Sequence, residues 1–322
     1  MVIPPPNSEP PSPRLQSAGH ILRLEVAIEE VIAALTQARI PTILLKGPSI
    51  ARWLYESRAD RPYGDGDILV APHDHPKGET VLESLGFETE RYTSIPGDRK
   101  PEASEWRRDD GIWMDLHFTI PGVRVSPDIA WSVLSTHVEK MDLRGHQVNV
   151  LSIPARTLHL VLHAAHHGAE TSQPLRDLTK ALEEVSGETW RQAHELAQQL
   201  DATEAFSAGL GLVPEGEELR ARFGLLPPTD VDVALKSVSA SAAALNLQTF
   251  ATISGLRAKL RFVLGKLFPP PSFLRNRSAL ARRGRTGLIL AYLSRPLVVF
   301  GRLGPGLMAW LRIRRAARRG RG

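Results

Sequence analysis

The chain has no cysteine in 322 residues. It therefore forms no disulfide and offers no thiolate to a metal, which fits a reducing, cytoplasmic setting. It also lacks Gly-x-x-x-x-Gly-Lys and any Gly-x-Gly-x-x-Gly opening a helix, so a Walker loop and a dinucleotide-binding turn are both excluded. Gly-x-Ser-x-Gly is absent, which removes that type of serine nucleophile. Counting from Asp65, Pro76 occupies the twelfth position, where an EF-hand needs a bidentate Glu. No internal repeat, zinc-finger spacing or aromatic-basic interleaving appears, so specific nucleic-acid recognition is not expected. Residues 1–18 are rich in Pro and Ser and lack a continuous apolar segment, which predicts a disordered leader in place of a signal peptide.

Acidic residues are missing from one whole region. Residues 251–322 hold 17 of the 40 Lys and Arg and none of the 35 Asp and Glu. The formal charges are thus +17 for this extension and −12 for residues 1–250. Such asymmetry predicts that the extension meets an anion: an acidic membrane surface, nucleic acid, or the acidic body of the same chain. Residues 287–311 are strongly apolar, but Arg295-Pro296 and Arg302 interrupt them. No unbroken run approaches the roughly 20 residues that cross a bilayer. Trp310 and Leu311 beside a string of arginines fit an anionic lipid interface, against the plainer reading of two packed helices and a solvated basic end.

What is present is a set of carboxylates at telling positions. Arg61-Pro-Tyr-Gly-Asp65-Gly-Asp67-Ile-Leu-Val70 places two acids two residues apart at the start of an apolar run. Alternate residues of a strand share a face, so Asp65 and Asp67 are able to converge on one ion. Asp115 sits inside a second run, where Met114, Leu116 and Phe118 form one face and Trp113, Asp115 and His117 the other. A carboxylate in apolar surroundings is expected to be paired, hydrogen-bonded or metal-bound. Hard oxygen ligands suit Mg²⁺ or Mn²⁺ together with substrate phosphates. The competing readings are a plain Asp-Gly-Asp turn and a salt bridge from Asp115 to Arg107 or Arg108.

Upstream, Pro41 to Leu45 reads as a short buried strand, followed at once by Lys46-Gly47-Pro48-Ser49 and a helical pattern at Ile50, Trp53 and Leu54. Gly47 permits a tight turn, Ser49 is placed to cap the helix, and Lys46 adds a point charge where helix-start amides attract phosphate.

The order of these parts resembles the DNA polymerase beta-type nucleotidyltransferase superfamily. Leu44-Leu-Lys-Gly-Pro-Ser49, the stretch from Tyr55 to Arg61 and Asp65, and Phe268-Pro-x-x-x-Phe-Leu-Arg275 are similar, more narrowly, to the bacterial family of uncharacterised nucleotidyltransferases. Gly66 departs from the pattern, standing between the two acids where an apolar residue is usual. The resemblance implies an α/β (α+β) fold, a mixed sheet backed by helices and followed by a helical domain. It implies Asp65, Asp67 and Asp115 as catalytic residues and metal ligands, with Asp115 also the base for an acceptor hydroxyl. Lys46, Gly47, Ser49, Arg61 and His117 become candidate nucleotide-binding residues.

Pro154–Gly168, Pro174–Val185, Glu188–Leu200 and Asp201–Leu212 each show helical apolar spacing. His159, His163 and either His166 or His167 share one helix face. The Glu of His-Glu-x-x-His is missing and the outer two imidazoles are far apart, so substrate contact by His163, His167, Arg176 and Asp177 is the stronger expectation over zinc. The expected organisation is a leader (1–18), a nucleotidyltransferase domain (19–150), a helical domain (151–250) and a basic, partly helical extension (251–322). The expected reaction moves a nucleoside monophosphate from an NTP, ATP in the first instance, to a small-molecule, peptide or protein acceptor. The alternatives are a catalytically degenerate nucleotide-binding regulator and a peripheral membrane protein anchored by its basic tail.

Overall fold

The computed structural model describes residues 13–89, 102–301 and 303–319. Of the expected leader, residues 1–12 lie outside the described residues, while residues 13–18 begin a long helix. Pro13 is at its first position, where a missing N–H costs nothing. The chain divides into two compact units that are not continuous in sequence. One comprises residues 1–89, 104–118 and 135–152; the other comprises residues 90–103, 119–134 and 153–322.

The first unit is built on a seven-stranded mixed sheet. Its strands are β1 (Thr42–Leu44), β2 (Asp65–Val70), β3 (Phe87–Thr89), β4 (Ala103–Arg108), β5 (Trp113–His117), β6 (Val138–Leu143) and β7 (His146–Leu151), in the order β3-β4-β5-β2-β1-β7-β6. β2 runs parallel to β5 and antiparallel to β1, while β6 and β7 form a hairpin. Helices α1 (Pro13–Gln37), α2 (Pro48–Leu54) and α3 (His75–Ser84) belong to this unit. Along α1, Ile21, Leu24, Ile28, Val31 and Leu35 recur every three or four residues and are buried. This stripe packs in one core with Ile68 and Val70 of β2 and Met114 and Leu116 of β5. Alternation along the strands then sends Asp67, Asp115 and His117 to the opposite face.

Gly66 is explained by the same packing. A Cβ at this position would lie 2.5 Å from Met114 Sδ and 2.8 Å from Ile28 Cγ1. The apolar volume usual between the two acids is supplied here by neighbours on β5 and α1.

The second unit is helical. It contains α4 (Pro127–Leu134), α5 (Ile153–His167), α6 (Ser172–Glu184), α7 (Gly187–Gln199), α8 (Thr203–Leu210), α9 (Pro214–Arg222), α10 (Val231–Ser237), α11 (Ala242–Thr252), α12 (Leu256–Leu267), α13 (Pro271–Arg277), α14 (Gly284–Gly301) and α15 (Leu303–Arg319). α5 is its central element and packs against α6, α7, α8 and α10. Pro296, which with Arg295 interrupts the apolar run of the tail, lies inside α14. The helix is held from one side, since Ala291 and its neighbours pack on Leu274 and Ala281, and this outweighs the one hydrogen bond that proline removes.

Candidate active site

The site begins with a turn that only glycine accommodates easily. After β1, Gly47 adopts φ 62° and ψ −111° as the residue preceding α2. A Cβ there would also come within 3.2 Å of the Tyr63 ring, so the position is closed to side chains twice over. Tyr63 is itself fixed, its hydroxyl donating to Glu25 Oε1 at 2.8 Å, while Arg52 of α2 donates to both Glu25 oxygens at 3.2 Å. Glu25 is fully buried on α1. One carboxylate thus ties α1, α2 and the segment before β2 together and sets the course of the Lys46-Gly47 turn. Glu25, Arg52 and Tyr63 escaped sequence reasoning, because nothing local distinguishes a clamp whose members lie 27 and 38 residues apart.

Ser49 does not cap the helix as expected. Gly47 holds the cap position and Pro48 opens the helix, so Ser49 falls two residues too late. Its hydroxyl is buried and donates to the Leu45 carbonyl at 2.7 Å. Arg61 is buried as well.

The parallel register sets Asp67 of β2 beside Asp115 of β5 and Asp65 beside Trp113. Asp67 is 1% exposed, and its Oδ1 receives Lys46 Nζ at 2.7 Å and faces His117 Nε2 at 3.0 Å. Arg108 is engaged elsewhere, with Glu30 and Asp110, and Arg107 lies over the Trp113 ring. Among the described residues Asp115 forms no ion pair. One ligand atom each from Asp67, Asp115 and His117 lies within 4.8 Å of the others. Asp65 stands outside this tight group but close enough for its charge to be felt there. His117 enters as a member of the cluster itself, where the sequence had suggested a nucleotide contact.

The electrostatics follow from this crowding. Burial alone would push Asp67 up, but Lys46 and His117 overcome it and hold the carboxyl well below the usual carboxylate range. Burial, then the charge of Asp67, raises Asp115 to about 7. Asp65 is raised for the same two reasons in the same order. Burial would lower Lys46, yet the charge and hydrogen bond of Asp67 carry it above the ordinary lysine value. The cluster is therefore an excess of negative charge that one ammonium only partly offsets. Its donor chemistry fits a hard divalent cation, and His117 Nδ1 is buried with no hydrogen-bond partner.

The remaining candidates belong to the helical unit. On α5 the ring centroids of His163 and His167 are 4.4 Å apart, with His159 buried and His167 exposed. Gln173 Nε2 donates to the buried Asp177 at 2.8 Å, and its amide oxygen accepts from Arg176.

A mixed sheet carrying a Lys-Gly turn into a short helix, with acids side by side on neighbouring parallel strands, is the arrangement that the resemblance to nucleotidyltransferases implies. The family comparison agrees: residues 12–215 match the model of the uncharacterised nucleotidyltransferases, and the chain belongs to that family. Among solved structures it is similar to the antibiotic-resistance factor ANT(2'')-Ia, at 14% identity and a TM-score of 0.40 over 56% of this chain and 94% of the other. It is similar also to the lincosamide antibiotic adenylyltransferase LnuA, at 15% identity and a TM-score of 0.35 over 49% and 96%. A third is an antigenic nucleotidyltransferase-like protein from Paracoccidioides brasiliensis, at 15% identity and a TM-score of 0.33 over 58% and 91%. Likenesses this low carry no argument about substrate. No curated protein matches the chain.

Proposed function

We propose that this nucleotidyltransferase moves a nucleoside monophosphate from an NTP, ATP in the first instance, to a hydroxyl of a small-molecule, peptide or protein acceptor. The observation that carries the reading is the pairing of Asp67 with Asp115 across β2 and β5, beside Lys46 and His117. Asp67 and Asp115, with Asp65 or His117 completing the set, would hold Mg²⁺ or Mn²⁺. The ion would supply charge neutralisation to the triphosphate and polarise the reacting phosphoryl group.

The chain's own residues account for the rest. Asp115, half-buried beside Asp67 and directly across from it on β5, is placed to take the acceptor's hydroxyl proton. The acceptor oxygen then bonds to the α-phosphorus, the bond to the bridging oxygen breaks, and pyrophosphate leaves with that electron pair. Lys46 meets the phosphates as a point charge, and the glycine at position 47 lets backbone approach them. Ser49 supports the turn through its hydrogen bond to the Leu45 carbonyl, and the buried Arg61 is a proposed nucleotide contact. His163, His167, Arg176 and Asp177 are proposed acceptor contacts. The cytoplasm is the proposed setting, on the absence of cysteine and the use of an NTP donor.

The test is labelled NTP with product analysis, wild type against Asp115→Asn. Loss of turnover by about a thousandfold, at the scale expected of a general base, supports the reading. Equal turnover by the two proteins would remove it. One observation favours a second reading: Lys46 already neutralises Asp67 at 2.7 Å, as a degenerate nucleotide-binding regulator would require. That reading predicts saturable nucleotide binding by the wild type with no labelled product.

A further inference from the structure

The C-terminal helices expose what a soluble surface normally hides. On α14, Ile289, Leu290, Leu293, Leu297 and Phe300 are between 52% and 77% exposed. At ~100° per residue these five positions fall in a single stripe about 100° wide. The opposite side is the one the protein uses: Gly287 and Ala291 are buried, the Tyr292 hydroxyl donates to the Pro269 carbonyl at 2.6 Å, and Arg295 Nε donates to the Lys266 carbonyl at 3.2 Å. α12 repeats the pattern, with Leu256, Leu260, Val263 and Leu264 exposed and Phe262 and Gly265 buried. An open groove of about 710 Å³ joins the two helices, lined by Leu260, Leu264, Phe268 and Tyr292 together with Arg257 and Arg261. Single exposed leucines are ordinary, but a contiguous apolar face marks a surface that meets something.

The charge says what it meets. Arg257, Arg261, Arg282, Arg283 and Arg285 are exposed around these helices, and residues 251–322 contain no acid to neutralise them. Apolar stripes flanked by arginines complement acyl chains under anionic headgroups. A nucleic acid would answer the charge but leave the leucines wet. A second copy would answer the leucines but bring the same +17 against itself. By composition one 18-residue window of the stretch Gly284–Arg318 is apolar enough to cross a bilayer. One side of α14 is nevertheless committed to α12 and α13, so the helix offers lipid a face and no full circumference.

We propose that the outer faces of α12 and α14 form a peripheral docking surface for an anionic lipid bilayer. The helices lie in the interface, with Leu293 and Leu297 entering the acyl boundary and Arg257 and Arg261 meeting headgroup phosphates. This rests on the helical unit alone and is independent of nucleotidyl transfer.

The experiment is sedimentation of the full chain with vesicles of equal parts phosphatidylcholine and phosphatidylglycerol, against vesicles of phosphatidylcholine alone. Binding to the mixed vesicles should be at least about tenfold tighter and should weaken with added salt. The double variant Leu293→Glu, Leu297→Glu alters exposed side chains only; its circular dichroism should be unchanged, and its affinity for mixed vesicles should fall about a hundredfold. The proposal is overturned by absence of binding to mixed vesicles, or by a folded double variant that binds them as the wild type does. It is equally overturned if the wild type sediments as a dimer that the double variant dissociates while neither protein binds vesicles.

Discussion

The acid cluster of β2 and β5 and the outer faces of α12 and α14 break the usual burial rule in opposite directions. In the first, charge is inside: Asp67 is 1% exposed, Lys46 and His117 close on it, and Asp115 is pushed to about 7. In the second, apolar side chains are outside, up to 84% exposed at Leu256. Both arrangements cost stability relative to the reverse, by desolvation in one case and wetted hydrocarbon in the other. The difference lies in how each is compensated. Asp67 and Lys46 are paired within the protein, so removing one strands the other. The exposed leucines are not, so removing them should leave the fold alone.

The sharpest way to break that comparison is Asp67→Ala. It strands Lys46, a raised ammonium with little access to water, without its carboxylate. Loss of one partner from a buried pair should lower unfolding free energy by about 3–5 kcal/mol in a denaturant titration. A loss under ~1 kcal/mol would mean that the cluster is open to solvent and its charges are weakly coupled.

Gly66→Val comes next. Its new side chain meets Met114 and Ile28, and the overpacking should cost about 1–3 kcal/mol. Combining it with Met114→Ala should restore part of that loss, because the two changes compete for one volume and are not additive. Full additivity would show that strand geometry, and not packing, demands the glycine.

The third effect depends on pH. Asp115 has a folded value of about 7, above that of a free carboxyl, so the folded state binds the extra proton between about pH 4 and pH 7. Stability from this group is therefore present at acid pH and is lost as pH rises through 7. Asp115→Asn should be close to wild type at pH 5 and more stable at pH 8, by about 1–2 kcal/mol once partial exposure is allowed for.

Local pattern made part of this legible. Alternation in Asp65-Gly-Asp67 and in Trp113-Met-Asp115-Leu-His117 showed which side chains share a face, since that depends only on strand geometry. The helices at Ile153–His167, Ser172–Glu184 and Gly187–Gln199 begin and end within a few residues of the Pro and Gly signals. Pairing between distant strands was not legible: Asp67 and Asp115 become neighbours through a parallel register between segments 48 residues apart. Nor was compensation. Gly66 looked anomalous because its filling comes from Ile28 and Met114, and Ser49 looked like a cap because the φ of Gly47, which moves the helix start, is not written in residue type. Pro296 sits within α14 for a related reason, since packing on one side holds a helix that local propensity would end.

The smallest predicted effect is the most discriminating for the C-terminal helices. Leu293→Gln and Leu297→Gln, at 70% and 77% exposure, keep helix propensity nearly constant and remove hydrocarbon that water already touches. Each should change unfolding free energy by less than about 0.5 kcal/mol. Leu274, 3% exposed in the cluster beneath α14, is the internal standard: Leu274→Ala should cost about 2–4 kcal/mol by leaving a cavity. Measured without lipid, the contrast between one leucine that matters and two that do not tests whether the outer stripe of α14 is free in solution. Equal costs at all three positions would mean that another surface covers the stripe, and the leucines would then be core and no docking face.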